Sequence, residues 1–144
     1  MKVSDILQAK GHQVMTVRPS ETIASLAHRL KLERVGAMIV SENGKTIDGI
    51  ISERDVAHGL VEHGAELHEL LVKDLMTKAV ITCTLDDTVA DIARTMTQRR
   101  IRHLPVQTGG EVVGVVSVGD VVKHRLDEIE MEANVLRDYA IARG

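Results

Sequence analysis

The chain has 144 residues, of which 44% are hydrophobic and 27% are charged, and its formal net charge is −3. This length suits one compact domain or two small halves that share a core. No apolar run is long enough to span a membrane and no signal-peptide core follows Met1, so no membrane partner is expected. Cys83 is the single cysteine and has no internal disulfide partner, which predicts a cytoplasmic location.

The aromatic content is very low, because the chain has no Phe, no Trp and one Tyr. Aliphatic side chains and backbone groups must therefore hold any bound base. Single-stranded nucleic-acid platforms depend on stacking aromatic side chains, and a net negative charge opposes binding to a phosphate backbone. Nucleic acid is therefore not an expected partner.

The first half of the chain has the pattern of a β-α-β-β-α unit. Ser20 is the predicted cap of the first helix, whose apolar residues follow at helical spacing: Ile23, Leu26, Ala27 and Leu30. Asn43 and Gly44 predict a hairpin turn, and Gly64 predicts the end of the second helix. The predicted elements, in chain order, are a strand at 14–17, the first helix, strands at 37–40 and 46–51, and a second helix from Ser52.

The second half repeats this order and has the same signals. Asp86 is the predicted cap, Gly109 and Gly110 predict the hairpin turn, and the helical stripe is Val89, Ile92, Ala93 and Met96. The predicted strands lie at 80–84, 103–106 and 112–116, with a helix from Ser117.

Two similar lead-in segments, at 3–7 and 73–77, place the boundary between the repeats. Repeat 1, with its lead-in and linker, spans residues 1–72, and repeat 2, with an extended C-terminal helix, spans residues 73–144. Each unit alone would leave one sheet face and one helix stripe uncovered. The expected fold is therefore α/β, with two β-α-β-β-α repeats packed on each other with pseudo-two-fold symmetry.

The helix that begins at Ser117 is predicted to run well past its counterpart in the first half. Its apolar residues are spaced alternately four and three apart, as in a heptad seam: Val122, Leu126, Ile129, Ala133, Leu136 and Ala140. Two interpretations remain open, since the helix either packs back on its own domain or forms a homodimer contact.

One short phrase occurs twice, once in each repeat. It reads glycine, two β-branched residues, serine, two variable positions, aspartate and valine, as Gly49-Ile50-Ile51-Ser52-Glu53-Arg54-Asp55-Val56 and Gly114-Val115-Val116-Ser117-Val118-Gly119-Asp120-Val121. The phrase places a hydroxyl and a carboxylate at a helix N-terminus, among unpaired backbone N–H groups. This pattern is typical of a helix-capping box, and it also suits a ligand site. The two roles are compatible.

Other residue clusters point to no further chemistry. The seven histidines lack the i, i+4 spacing of a helical metal pair and have no cysteine beside them, so no metal site is expected. Cys83 has no evident base nearby and is predicted to be a packed residue. The chain also lacks the glycine loops of nucleotide-hydrolysing and dinucleotide-binding enzymes. We therefore expect no catalytic residues and no enzymatic activity.

Together these motifs resemble a tandem CBS-domain protein, or Bateman module, of the free-standing bacterial type. The resemblance covers nearly the whole chain and rests on both phrases, on Asp74-Leu75-Met76-Thr77 and on Arg100-Ile101-Arg102-His103-Leu104-Pro105-Val106. It implies a regulatory adenosine ligand: AMP first, with NAD(H), ADP, ATP or S-adenosylmethionine as further candidates. It also implies that the serine and aspartate of one repeat hold the ribose while the other repeat holds the base.

Carried over residue by residue, the resemblance implies two clefts. The first would combine Ser52, Arg54 and Asp55 with Val80, Ile81, Ile101, Arg102, His103 and Leu104. The second would combine Ser117 and Asp120 with Val14, Met15, Val35, Gly36, Ala37 and Met38. Arg102 and His103 offer the first cleft cations for phosphate. Gly36 leaves the second cleft without a matching cation, although Lys10 and His12 in the lead-in are available. Stronger phosphate binding is therefore expected in the first cleft.

The expected function is a non-catalytic adenine-nucleotide sensor that passes its ligand state to another protein. A homodimer is expected, and the effector protein is an unidentified separate chain. The alternative is a dimeric interaction scaffold whose nucleotide clefts are vestigial. An enzyme acting on nucleotides is a third hypothesis, which unchanged ligand after long incubation would dismiss.

Overall fold

A computed structural model describes residues 1–143 as a mixed α/β chain in which the order of elements repeats and a long helix ends the chain. The helices are α1 (Val3–Lys10), α2 (Ile23–Glu33), α3 (Glu53–His63), α4 (Val72–Leu75), α5 (Val89–Arg99) and α6 (Val118–Arg143). The strands are β1 (Thr16–Val17), β2 (Ala37–Val40), β3 (Gly49–Ser52), β4 (His103–Thr108) and β5 (Glu111–Ser117), and a 3₁₀ segment covers Gly64–Glu69. The predicted fold class is confirmed.

The strands form two small sheets, one in each repeat. In the first, β1 pairs in parallel with β2, and β2 pairs antiparallel with β3, so that Ala37 lies opposite Ser52. In the second, β4 and β5 form a hairpin whose turn residues Gly109 and Gly110 have φ values of 59° and 81°. A two-residue hairpin turn of this kind needs positive φ, which glycine adopts without strain. The predicted turn is thus confirmed.

The strand predicted at 80–84 does not form. Its place is taken by a single parallel bridge between Cys83 and Val106, in which the Cys83 N–H donates to the Pro105 carbonyl at 2.9 Å. The next rung of a parallel ladder would need a backbone N–H at position 105 to reach the Ile81 carbonyl. Proline has no such donor, so the pairing stops after one rung.

Two helix caps lie two residues later than predicted. Thr22, rather than Ser20, accepts a hydrogen bond from the Ser25 N–H at 3.1 Å. Thr88, rather than Asp86, accepts from the Asp91 N–H at 3.0 Å in the same way. Both threonines also form isolated β-bridges, Thr22 with Leu71 and Thr88 with Lys2, just before a lead-in segment, and these bridges hold them in the extended conformation that a cap requires.

The packing divides the chain into two compact units that exchange their lead-ins. One unit contains residues 13–82 and 107–113, and the other contains residues 1–12, 83–106 and the chain from 114 onwards. In the unit containing residues 83–106, α1 joins the second repeat, since the Val3 N–H donates to the Asp87 carbonyl at 2.9 Å. In the unit containing residues 13–82, α4 joins the first repeat through the equivalent bond from the Val72 N–H to the Glu21 carbonyl, at 2.8 Å.

The glycine that opens each phrase makes room for a lead-in. A Cβ atom on Gly49 would lie 2.8 Å from Met76 Sδ, and a Cβ atom on Gly114 would lie 2.7 Å from a Leu7 methyl group. Both distances are shorter than side chains tolerate. These glycines are therefore required for packing within each unit, next to the serine and aspartate that follow them.

Each unit has an aliphatic core, as the composition predicts. Buried core residues of the unit containing β1, β2 and β3 include Ile23, Leu26, Val40, Ile51 and Val72. Those of the unit containing α1 and α5 include Val3, Ile6, Leu7, Val89, Ile92 and Leu104. Across residues 1–143, no helix combines the length and apolar character needed to cross a bilayer.

Candidate functional site

Both copies of the phrase form a capping box at the start of a helix. The Ser52 N–H donates to Asp55 Oδ2 at 2.8 Å, and the Asp55 N–H donates back to Ser52 Oγ at 3.4 Å. The Ser117 N–H donates to Asp120 Oδ2 at 2.9 Å, and the Asp120 N–H returns to Ser117 Oγ at 3.1 Å. The capping interpretation of the sequence is therefore confirmed in both repeats.

A second backbone contact is also duplicated, and it holds each cap against the strand region of its own repeat. The Glu53 N–H donates to the Gly36 carbonyl at 2.9 Å, and the Val118 N–H donates to the Arg102 carbonyl at 2.8 Å. Gly36 and Arg102 are the residues that the resemblance assigned to the opposite clefts. The structure thus brings Ser52 close to Gly36, and Ser117 close to Arg102, within single units.

The two carboxylates differ in their charged neighbours. Lys10 Nζ lies 2.7 Å from Asp120 Oδ2 and also donates to the Val115 carbonyl at 2.9 Å. Gly36 offers this cap no counterpart of Arg102, but Lys10, which the sequence analysis names as an available cation, pairs with Asp120 directly. Within residues 1–143, no ion pair joins Asp55 to a lysine or arginine.

The environment of Asp120 lowers the pKa of its carboxyl group. Burial by itself would raise the pKa of this carboxyl, but hydrogen bonds from Lys10 and Ser117, together with the charge of Lys10, outweigh burial and hold the pKa below its ordinary value of 3.8. The carboxylate is ionised at neutral pH and already has a positive partner. A ligand hydroxyl that binds Asp120 must therefore share or replace that partner.

The other predicted site residues differ in how their side chains can contribute. Met38 is 2% exposed and Leu104 is 1% exposed, so both side chains belong to the core and only their backbone is available. Arg54 and Arg102 are exposed. The partly buried members of the set are Val14, Met15, Val35, Gly36, Ala37, Val80, Ile81, Ile101 and His103.

The pairing of each cap with a strand of the opposite repeat remains a prediction, because it joins residues of different units. Within the unit containing residues 13–82, an open polar groove of about 560 Å³ is lined by none of the predicted ligand-binding residues. Its lining is Thr16, Arg18, Ser20, Glu21, Arg29, Ser41, Glu42, Asn43 and Gly44.

Cys83 and the histidines add no further chemistry to the site. Burial raises the pKa of the Cys83 thiol to about 12, with a smaller contribution from the Asp87 charge, so the thiol stays protonated at neutral pH. This agrees with its predicted role as a packed residue. Among the residues that the structure describes, no three His, Cys, Asp or Glu side chains cluster as metal ligands would.

The CBS domain family matches this chain twice, over residues 3–62 and 72–127. The chain is 30% identical over 145 residues to the mitochondrial CBS domain-containing protein CBSX3 of Arabidopsis thaliana, with 95% of this chain and 70% of that protein covered. It spans only 22% to 23% of the length of several other Arabidopsis CBS domain-containing proteins that it matches.

Solved structures of CBS-domain proteins have the same fold. The CBS-domain containing protein ATU1752 from Agrobacterium tumefaciens is 36% identical with a TM-score of 0.84, covering 87% of this chain and 99% of that chain. The CBS domain pair of protein MJ0100, solved with 5′-methylthioadenosine and S-adenosyl-L-methionine, is 25% identical with a TM-score of 0.78, covering 89% and 98%. This chain therefore belongs to the CBS-domain family and carries two CBS domains in tandem.

Proposed function

We propose that this protein is a non-catalytic regulatory module that binds an adenine nucleotide and passes its ligand state to a partner protein. The observation that carries the proposal is the duplicated cap, in which a serine and an aspartate occupy equivalent helix starts. The CBS domain pair of MJ0100, a relative of similar fold, was solved with two adenosine-containing ligands. The ligand proposed for this chain is AMP first, then ADP, ATP, NAD(H) or S-adenosylmethionine.

The caps have the chemistry that a ribose requires. The hydrogen bonds within the first cap that reach Asp55 end on Oδ2, so Oδ1 takes no part in the cap. An ionised carboxylate accepts from several hydroxyls at once, and charge-assisted hydrogen bonds of this kind are the strong ones. The positive end of the helix dipole favours the negative charge of a nucleotide phosphate nearby.

Each proposed cleft combines the cap of one repeat with strand residues of the other, as the resemblance implies. Arg102 is exposed and charged, so its guanidinium suits phosphate in the cleft of Asp55. Lys10 is the corresponding cation beside Asp120. Met38 and Leu104 would contribute backbone groups alone, since their side chains are buried.

Binding would couple the two repeats energetically, because ribose and base contacts come from different repeats. An effector protein that distinguishes the free and bound arrangements would then read the ligand state. We further propose that the module is a homodimer and works in the cytoplasm, where a lone buried thiol such as Cys83 stays reduced.

A ligand panel tests the proposal directly. Thermal shift and calorimetric titration with AMP, ADP, ATP, NAD+, NADH and S-adenosylmethionine should reveal at least one stabilising ligand, since a ligand at 100 times its Kd stabilises by about 2.7 kcal/mol. A flat response across the panel would contradict the proposal. It would favour the interaction scaffold, which the exposed apolar residues of α6 also support.

A matched pair of variants separates ribose binding from capping. Asp74 accepts a hydrogen bond from the Leu71 N–H at 3.0 Å at the start of α4, so it is a capping aspartate outside the proposed clefts. Asp55→Ala and Asp74→Ala should each cost about 1 kcal/mol of stability. Only Asp55→Ala should remove one nucleotide from the calorimetric stoichiometry. Full stoichiometry in both variants would assign Asp55 to capping alone.

A further inference from the structure

The C-terminal part of α6 projects beyond the unit to which it belongs. The N-terminal part of α6 packs on its own unit. It does so through the buried residues Val121 and His124 and the half-buried residues Arg125 and Glu128. Every residue from 129 to 143 is exposed, so the helix projects for about 22 Å at 1.5 Å per residue. Isolated helices of this length are marginal in water. A stable projecting segment therefore needs a partner to cover it.

The heptad seam of the sequence lies entirely on exposed surface. Val122 is 52% exposed, Leu126 60%, Ile129 52% and Leu136 68%. Ala133 and Ala140, which complete the seam, are exposed as well. The helix packs on its own unit through a different face, so the interpretation that the seam packs back on its own domain is wrong.

The charges that flank the seam favour a parallel pair of helices. If Val122, Ile129 and Leu136 are d positions, Arg125 and Glu132 are g positions, and Glu130 and Arg137 are e positions. In a parallel coil each g residue meets the e residue five positions later in the second copy. Glu132 then faces Arg137, and Arg125, which already pairs with Glu128 of its own helix, lies opposite Glu130. Both pairs are attractive, and two-fold symmetry makes each occur twice.

An antiparallel pair that uses the same six apolar positions brings like charges together. In that arrangement Glu130 meets Glu130, Glu132 meets Glu132, and Lys123 meets Arg137 of the second copy. Like charges at flanking positions oppose association. Alanine at two of the six core positions buries little surface, so the flanking charges decide the orientation.

We propose that two copies of this chain associate through a parallel, in-register coiled coil of α6 over residues 122–140. The inference rests on the homodimer of the proposed function and specifies its contact surface, its orientation and its register. It does not require that a nucleotide be bound.

Exchange of the charges at 132 and 137 tests the register. Neither Glu132 nor Arg137 forms an ion pair within residues 1–143, and residues five apart on one helix do not face each other. Glu132→Arg should weaken dimerisation about tenfold, measured by sedimentation equilibrium. The double variant Glu132→Arg/Arg137→Glu should restore the affinity. Wild-type affinity in the single variant, or no rescue in the double variant, would overturn the proposal.

Cysteine cross-linking tests the orientation. Only a parallel, in-register pair places position 136 of one copy beside position 136 of the other, so Leu136→Cys should form a disulfide-linked dimer under mild oxidation. Ala140→Cys should do the same. Asp138→Cys, on the opposite side of the helix, is the control and should stay monomeric under denaturing electrophoresis. Native Cys83 is 6% exposed and does not compete. A cross-link only between Leu126→Cys and Leu136→Cys chains would demonstrate an antiparallel pair and overturn the proposal.

The coil and the nucleotide function can fail separately. A monomeric protein that still gains thermal stability with nucleotide would overturn the coil and the proposed homodimer, and would leave nucleotide sensing standing. A cross-linked dimer with a flat nucleotide panel would support the coil and contradict nucleotide sensing.

Discussion

The caps of the two repeats have the same hydrogen-bond geometry and different electrostatics. Asp55 and Asp120 each accept a hydrogen bond from the N–H of the serine that precedes them by three residues, at 2.8 and 2.9 Å. Lys10 pairs with Asp120 at 2.7 Å, whereas Asp55 has no lysine or arginine partner among the described residues. The repeated motif therefore keeps the same backbone hydrogen bonds in both copies, but the charged side chains around it differ.

The difference arises in the lead-ins. Leu7 packs against Gly114 and Met76 packs against Gly49, so these lead-in residues occupy equivalent places. Three residues later the first lead-in has Lys10 and the second has Ala79. α1 stays helical as far as its lysine and directs the ammonium group to the cap.

After α4 the chain is extended instead and pairs with the strand of the first phrase. The Thr77 N–H donates to the Ile50 carbonyl at 2.8 Å. The equivalent carbonyl in the second repeat, that of Val115, accepts from Lys10 Nζ at 2.9 Å. A lysine side chain thus replaces a backbone donor and brings a charge with it.

The largest expected effect on stability comes from replacing the glycine against which each lead-in packs. Gly49→Ala and Gly114→Ala should each lower the free energy of unfolding by about 1–3 kcal/mol, because the added methyl group overpacks the contact. Gly49→Ala should cost more, since its Cβ would lie 2.9 Å from the Thr77 backbone carbonyl, whereas Gly114 faces only the flexible Leu7 side chain. Urea unfolding measures both, and a neutral Gly49→Ala would contradict the packing described.

Removing Arg102, the proposed cation of the first cleft, should reduce the difference in phosphate affinity between the two proposed clefts. Arg102→Ala should weaken the binding of a phosphorylated ligand about tenfold, since a hydrogen bond to a charged group is worth about 1.5–3 kcal/mol, and should leave adenosine binding unchanged. Gly36→Arg should strengthen nucleotide binding in the second cleft. Calorimetry with AMP and adenosine measures both variants, and unchanged AMP affinity in Arg102→Ala would end the hypothesis.

A further comparison identifies which cap Arg102 serves. Its carbonyl accepts from Val118 beside Ser117 in its own unit, while the resemblance assigns its guanidinium to the opposite cap. Combining Arg102→Ala with Asp55→Asn should give a smaller loss than the sum of the single losses, because the two residues would share a ligand. If the losses are instead non-additive when Arg102→Ala is combined with Asp120→Asn, Arg102 serves the cap of its own repeat.

Removal of Lys10 should make the two caps more alike. Lys10→Met should lower stability by about 0.5–1 kcal/mol in the unliganded protein, since the ion pair is partly exposed. Lys2→Met is the matched control, because Lys2 belongs to the same lead-in and lies 3.9 Å from an almost fully exposed Asp86 carboxylate. Chemical unfolding should detect no change in the control. Equal losses in the two variants would mean that Lys10 contributes nothing specific.

The smallest expected effect is a pH dependence of the second cap. The pKa of Asp120 is lowered in the folded protein, so its stabilisation is fully present above the unfolded value of about 3.9 and is lost as pH falls through the folded value. The stability difference between wild type and Lys10→Met should therefore be constant from about pH 5 to 7 and shrink below about pH 4. A difference that persists unchanged to pH 2 would contradict the ion pair.

Local patterns predicted the elements that local physics determines. The serine at each helix start, the glycine pair in the second hairpin and the apolar stripe of α5 all formed as expected. The predictions failed where a distant partner decided. Thr22 and Thr88 became caps because lead-ins bridge to them, and the strand at 80–84 was lost because Pro105 on its partner strand has no N–H to offer.

The sequence by itself determined the duplication, the two helix starts and the heptad seam of α6, because each depends on spacing within a short stretch of chain. Tertiary structure decided that each lead-in joins the opposite repeat and that Lys10, rather than His12, meets Asp120, 110 residues away. Such a contact has no signature in spacing, since it depends on how Leu7 fits beneath a glycine that lacks a side chain. The charge difference between the two caps therefore follows from packing and not from the repeated phrase.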